Sequence, residues 1–355
     1  MTRLRRHELE EAPIRPIMID ERAVLTVLRV PPESEGMRLD RFVQSQLKRT
    51  TRTRAQFIIE RSAFTPDGKL HQKADRVRAE QWICLWRAPW DEAHTDTVLP
   101  ILYEDDDLLA VDKPPMIPVH PTARYFRSTV VKLLEEKRPN ERLYLSHRLD
   151  RETSGVLLLT KNKEADRHVK KQFAGLDPVT GRPSALRFVR KRYWAITHGV
   201  ARQRAFIVDS PLEPDPTSSL RVKMRVAPKD GLVALTRCTV LSTFVHGTVD
   251  DANAAYSVVA CDLETGRQHQ IRVHLASVGL PLVGDKLYGV DEDLFRRGAD
   301  GVLTDADRAQ LLLKRHGLHA AELELDHPRE ARRVLITSPM PADLANYLAT
   351  LTPTS

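Results

Sequence analysis

At 355 residues, the chain is long enough for one large core plus a small appended module, and two domains are expected. Its 55 basic side chains exceed its 48 acidic ones, no run approaches the ~20 apolar residues of a membrane helix, and MTRLRRHELEEAPIRP lacks the apolar centre of a signal peptide, so a soluble cytoplasmic protein is expected. Cys84, Cys238 and Cys261 lie far apart and form no CxxC pair, which argues against a structural zinc site and a disulfide framework alike.

Residues 1–35, charged and proline-bearing, read as an arm of mixed order. Residues 36–92 are expected to form a small α/β module, and it is strongly basic. Between positions 36 and 90, twelve Lys and Arg oppose five Asp and Glu, so +7 here equals the excess of the whole chain. That concentration fits either an electrostatic footprint for RNA phosphates or an ordinary solvated face. Leu39, Phe42, Val43 and Leu47 share one helical face, and Ala55, Ile58 and Ile59 predict a second short helix beyond the arginine-rich link 48–54. Arg38, Arg49, Arg52 and Arg54 are the candidate RNA contacts around that junction. A turn at Pro66-Asp67-Gly68 and the alternating Trp82-Ile83-Cys84-Leu85-Trp86 complete the unit as a small sheet.

A larger domain is expected over 96–352. Residues 101–103 and 108–111 predict a strand pair joined by the acidic turn 104–107, a run of charge that fits a hairpin tip better than a metal site. Prolines at 114, 115, 118 and 121 enforce an irregular loop. Leu143 and Leu145 alternate with polar residues as a half-buried strand does, and Thr153, Ser154 and Gly155 break the pattern before the apolar run 156–159. Asp150 therefore sits on a strand-to-strand turn. A carboxylate held there suits a nucleophile or base, or it closes an Asx turn. Helices are expected at 128–137 and 163–175, and strands at 188–197, 232–243, 256–263, 318–325 and 334–336. Mostly short-linked strands with a few helices imply an α+β domain on a mixed, largely antiparallel sheet. Thr265 is positioned to cap a helix over 267–278 that stops at Gly279, with Ile271, Leu275 and Val278 facing the core. On a neighbouring face, Arg272 would reach a carboxylate from another element. His269 and His274 are five apart, which does not match the helical metal pair.

The motifs HRLDRETSG (147–155), RKRYWAITHG (190–199) and TGRQHQIRVH continuing into GLPLVGDKLYG (265–289) together resemble the RluA-type RNA pseudouridine synthases. VDKPPMIPVHPT (111–122) and LHAAELELDHP (318–328) are similar to further segments of that family, in the same order. The resemblance implies an enzyme that isomerises uridine in RNA without cofactor or metal, with Asp150 as catalytic residue, Arg272 as its basic partner and Tyr193 stacking on a flipped base. It assigns His147, Arg148, Thr153, Arg267, His269, Gln270 and Ile271 to substrate binding; Arg190, Lys191 and Arg192, just before Tyr193, suit contacts to nearby phosphates by their charge. Asp150 would attack the anomeric carbon or withdraw a sugar proton; the residues leave both routes open. Residues 36–92 resemble the RNA-binding module named after ribosomal protein S-four, although Ser62 to Gly68 departs from that module's usual turn. Gly175 to Leu186 reads as an insertion, and 291–309 as a lengthened loop. A monomer acting on ribosomal RNA, or else on transfer RNA, is the expectation, with a non-catalytic RNA-binding factor as the rival reading.

Overall fold

The computed structural model describes every residue except 1–11, 22, 48–49, 88–96, 122–124, 126, 185–187, 221, 247–254, 290 and 355. It divides into two compact units, Met1–Ala93 and His94–Ser355.

The first unit is a three-stranded antiparallel sheet with two helices. Strand β1 (Val24–Arg29) is followed by α1 (Leu39–Gln46), α2 (Arg52–Ser62), β2 (Ala63–Phe64) and β3 (Trp82–Arg87), with sheet order β1-β3-β2. Leu39, Phe42 and Val43 of α1 and Ala55 and Ile59 of α2 are buried against Ile83 and Leu85 of β3, the faces their spacing predicts. The Thr51 side chain accepts the Arg54 N–H and starts α2. Strand β1 corrects the arm reading for its part of the chain, because it pairs with β3 from Val24↔Arg87 to Arg29↔Trp82. Its partner lies more than fifty residues downstream, so no local pattern announces it.

The second unit begins with the hairpin β4 (Ile101–Glu104) and β5 (Leu108–Lys113), then α3 (Val130–Lys137), β6 (Tyr144–Leu145), β7 (Ser154–Thr160) and α4 (Lys163–Phe173). Strands β8 (Arg190–His198), β9 (Ala205–Asp209), β10 (Leu212–Pro214), β11 (Met224–Val226), β12 (Leu235–Val245) and β13 (Ala255–Leu263) lead to α5 (Gln270–Ser277). After α6 (Asp293–Asp300) and α7 (Asp305–Leu311) the chain closes with β14 (Leu318–Asp326), β15 (Arg333–Thr337), α8 (Ala342–Ala349) and β16 (Thr352–Pro353). One large sheet runs β16-β12-β13-β8-β14-β7-β5-β4, with β15, β6 and β9 paired at its sides and β10-β11 a separate hairpin. The pairing of β7 with β14 is parallel and the others along this path are antiparallel, so the α+β class on a mixed sheet stands.

Two expectations change. The third-motif helix starts at Gln270, not 267, because Thr265 turns its hydroxyl to Gln270 Oε1 (2.8 Å) and accepts the Leu235 N–H (3.1 Å) instead of capping. The stretch 291–309 is not a plain loop but contains α6 and most of α7, closed by a Thr304–Asp307 capping box and a bidentate Arg297–Asp307 pair at 2.9 Å. The acidic turn 104–107 forms the tip of the β4–β5 hairpin, as expected, and three of its carboxylates lean on neighbours: Glu104 meets Arg138 and Lys161, Asp105 lies beside Arg332 and the His327 ring, and Asp107 meets Arg329. Among the described residues no three His, Cys, Asp or Glu side chains group as metal ligands.

Candidate active site

The turn that carries Asp150 is fastened at both ends. At its start, the His147 ring stacks on Phe173 of α4 (5.1 Å between centroids) and accepts the Leu158 N–H at 3.0 Å. Leu149 then points into the main core. The Thr153 N–H returns to the Asp150 carbonyl (3.2 Å), while the Thr153 hydroxyl lies 2.9 Å from His316 Nε2. At the far end Gly155 takes φ +110°, and a Cβ there would fall 2.2 Å from the Ala320 carbonyl oxygen, so only glycine lets β7 lie this close to β14.

Beneath the turn lies Lys113, fully buried. Its ammonium donates to the carbonyls of Pro114 (2.8 Å), Ile117 (2.9 Å) and Arg151 (3.1 Å), joining the proline-rich loop to the residue after Asp150. Burial, reinforced by the nearby Arg315 charge, pushes its pKa down to about 7. At the next residue of the turn, Lys286 Nζ meets both Glu152 oxygens at 3.1 Å, and Glu152 also accepts the His316 N–H (3.1 Å).

The Asp150 side chain remains 27 % exposed, and its Oδ2 lies 3.3 Å from Arg272 Nη1 and 3.8 Å from His269 Nε2. Arg272 projects from α5 and is nearly fully buried. Its shorter bonds go elsewhere: Nε and Nη2 grip Asp285 at 2.7 and 2.8 Å, and Asp285 also accepts the N–H groups of Leu287 (2.9 Å) and Tyr288 (3.0 Å). The guanidinium also lies over the Tyr288 ring, 4.9 Å from its centroid. Burial alone would raise the Asp150 pKa, but the neighbouring His269, Arg272 and His316 outweigh it and hold the carboxyl below its ordinary range. Burial and Arg272 keep His269 neutral down to about pH 4, so the lasting cation beside Asp150 is Arg272. Tyr193, on β8 in register with Cys261 and Ala320, is 9 % exposed; burial and then the Asp150 charge raise its phenol pKa.

Asp150, Arg272, His269 and Tyr193 thus converge. Several expected substrate contacts do other work. His147 stacks on Phe173, Ile271 is buried in the core, and Gln270 locks the loop before α5 by accepting the Thr265 hydroxyl and Arg267 N–H and donating to the Leu235 carbonyl (3.0 Å). Thr153 ties the turn through its buried hydroxyl. Arg267 is exposed with Nε on the Val233 carbonyl (3.0 Å), and Arg148 is exposed. The expected phosphate contacts Arg192 and Arg190 lean on Asp262 (2.9 Å) and Glu324 (3.4 Å). In the first unit, Arg38 and Arg52 both bind Asp40, which is fully buried and also accepts Gln56 at 2.8 Å; the Arg38 bond holds that carboxyl far below its usual range. A buried carboxylate needs cations, and these two arginines supply them. Arg54 is exposed and lies over Phe57, as does Arg61, at 5.2 and 4.2 Å from the ring centroid. Arg49 lies outside the described residues.

Asp285, Tyr288, Lys113, Glu152 and His316 were not singled out from sequence. The need of a buried Arg272 for a carboxylate was legible, and Asp285 stood in the quoted GLPLVGDKLYG segment. Only the folded chain shows which carboxylate answers most closely.

Residues 107–277 match the family model described as RNA pseudouridylate synthase. The chain is 32 % identical over 329 residues to a protein of Nitrosomonas europaea named ribosomal large subunit pseudouridine synthase D, covering 90 % of this chain and 86 % of that one. It is 34 % identical over 350 residues to an uncharacterized RNA pseudouridine synthase of Chloroflexus aurantiacus, covering 96 % of this chain and 97 % of the relative. Among solved structures, human RNA pseudouridylate synthase domain containing 1 superposes with a TM-score of 0.55 at 24 % identity, covering 74 % of this chain and 92 % of that one, a likeness of fold.

Proposed function

This chain belongs to the RluA-type RNA pseudouridine synthases, and from that premise we propose that it converts selected uridines of ribosomal RNA to pseudouridine with Asp150 as the reacting carboxylate. The observation that carries the catalytic part is the pairing of Asp150 with Arg272. A partly exposed carboxylate kept ionised and oriented by a buried guanidinium is ready to act on a sugar at neutral pH. Ribosomal rather than transfer RNA is favoured by the Nitrosomonas relative, named a ribosomal large subunit pseudouridine synthase, which matches 90 % of this chain.

A uridine inside a helix is out of reach of Asp150. The base has to be looped or flipped out, at a cost of about a few kcal/mol that stacking and phosphate contacts offset. Tyr193 is the proposed stacking partner, an aromatic ring on β8 that pairs with Ala320, the residue paired in turn with Gly155 at the end of the Asp150 turn. The carboxylate then attacks the anomeric carbon or takes a sugar proton as the bond to nitrogen breaks; the rotated uracil rejoins through carbon 5 as the Asp150 ester breaks or the sugar proton returns, and carbon 5 loses its proton to solvent while the freed nitrogen takes one up. The first unit, with Arg54 and Arg61 exposed on α2, is proposed to hold RNA phosphates in the manner of the S-four module.

The test is carbodiimide mapping of pseudouridine in total RNA from cells lacking the protein, complemented with wild type or Asp150→Ala. Sites that vanish and return only with wild type are expected in large-subunit ribosomal RNA. Asp150→Ala and Asp150→Asn are both expected to bind RNA with near wild-type affinity and to show no turnover; turnover in either ends the assignment.

A further inference from the structure

Tyr288 touches both groups that face Asp150. Its ring lies beneath the Arg272 guanidinium, and its hydroxyl oxygen is 2.8 Å from His269 Nδ1. The same oxygen accepts the Met224 N–H of β11 at 2.9 Å. The two rings meet edge-on at 77° with centroids 5.6 Å apart, so this contact is made through the hydroxyl rather than by stacking.

A phenol carries one proton, and a neutral imidazole has one donor and one acceptor nitrogen. A backbone N–H can only donate, so the Tyr288 oxygen is the acceptor from Met224. Donating its own proton to Nδ1, the ring nitrogen 2.8 Å away, is the arrangement that gives every proton here a partner. The proton of the neutral ring therefore sits on Nε2, which is the nitrogen turned to Asp150 Oδ2 across 3.8 Å. That gap exceeds a hydrogen bond, as contacts around a reacting group often do before substrate tightens them.

We propose that His269 is a positioning residue for the reaction, a neutral Nε2–H donor whose tautomer is set by the Tyr288 hydroxyl and which orients the Asp150 carboxylate together with Arg272. The inference rests on Asp150 being the reacting group. Two features make a neutral donor the appropriate partner. Asp150, Arg272 and Asp285 carry one positive and two negative charges, so the cluster keeps one net negative charge for chemistry; a second cation would remove it and weaken the carboxylate as base or nucleophile. His269 also adopts φ +57°, a left-handed backbone that few side chains tolerate and that histidine enters more readily than most, and such strain is retained where a side chain must be aimed. Burial and the Arg272 charge keep the ring unprotonated at neutral pH.

Nitrogen-15 NMR of the histidine side chains in the full-length protein at pH 7 reads the tautomer directly. His269 is expected with Nε2 protonated and Nδ1 bare, and Tyr288→Phe, which keeps the ring under Arg272, is expected to disturb that resonance pattern. With an unmodified transcript of large-subunit ribosomal RNA, Tyr288→Phe is expected to lower kcat about tenfold with KM unchanged. His269→Gln, which retains a side-chain N–H donor, is expected to keep more activity than His269→Ala. A proton on Nδ1, a doubly protonated ring at pH 7, or wild-type kcat in Tyr288→Phe overturns the proposal. The spectrum does not depend on turnover, so a Nδ1–H form would sink this relay alone, whereas an active Asp150→Ala would sink the catalytic assignment.

Discussion

Arg272 gives two nitrogens to Asp285 and one to Asp150, so the two carboxylates compete for a guanidinium that is itself nearly without water. Asp285→Asn keeps the shape and removes the charge that fixes the fork. The expected outcome is a kcat loss of roughly 100-fold, as for a misplaced catalytic partner, with stability lowered by about 3 kcal/mol, as for a broken buried pair. Single-turnover kinetics and urea unfolding measure the two effects, and RNA affinity should not change. The buried histidines make a second prediction. His269 and His316 fall to about 4 and His147 to about 3 from 6.5, each chiefly through burial, so between pH 6.5 and 4 the unfolded chain binds more protons than the folded one. Stability therefore falls as pH drops through that window. The depressed carboxylates act lower: the stability contributed by Asp285 is held above its unfolded value of 3.8 and lost as pH falls below it. The urea midpoint should climb from pH 7 toward 10, where Lys113 is neutral in the folded chain and charged in the unfolded one. It should decline from 6.5 downward and drop more steeply below 4; a constant midpoint down to pH 4.5 would contradict this.

At the scale of elements, the parallel contact between β7 and β14 decides where Asp150 stands. Ser154 and Gly155 pair there with His319 and Ala320, immediately after the turn. Gly155→Ala has nowhere to place its methyl group except by parting the strands, and it also loses the tolerance of glycine for φ +110°. A loss of at least about 3 kcal/mol follows from those two terms together. It is read as a lowered Tm or an insoluble product, and an unchanged Tm would show that the strands can separate freely. The element boundaries illustrate what local pattern conveys. Helix α4 was legible because Asn162 caps it and Ala165 and Val169 recur on the buried face. Helix α5 begins three residues later than its local pattern predicts because the ladder of Thr265, Gln270 and Leu235 that delays it depends on a strand some thirty residues upstream.

Over the whole molecule, charge and chemistry fall to different units. The most basic stretch, residues 36–90, lies in the first, yet Arg38 and Arg52 are engaged by Asp40, which leaves Arg54 and Arg61, over Phe57 on α2, as an exposed basic patch. Arg54→Glu combined with Arg61→Glu in the full chain is expected to weaken RNA binding. The slope of log affinity against log salt should become shallower by about 0.7 for each lost contact to single-stranded RNA. kcat at saturating RNA should stay at the wild-type value. A filter-binding series at several salt concentrations checks this, and an unchanged slope would remove the α2 face from the RNA contact.

The sequence by itself determined the Asp150 turn, the β4–β5 hairpin, the helical faces of α1 and α2 and the order of the family motifs, because each is written in residues adjacent along the chain or repeating with a short period. Tertiary structure alone decided that Asp285 is the close partner of Arg272, that Lys113 ties the proline-rich loop to Arg151, that His147 serves the fold by stacking on Phe173, and that β1 belongs to a sheet. Those facts depend on register between distant strands and on which buried charge finds which, and both are settled only when the core excludes water and every buried polar group must take a partner.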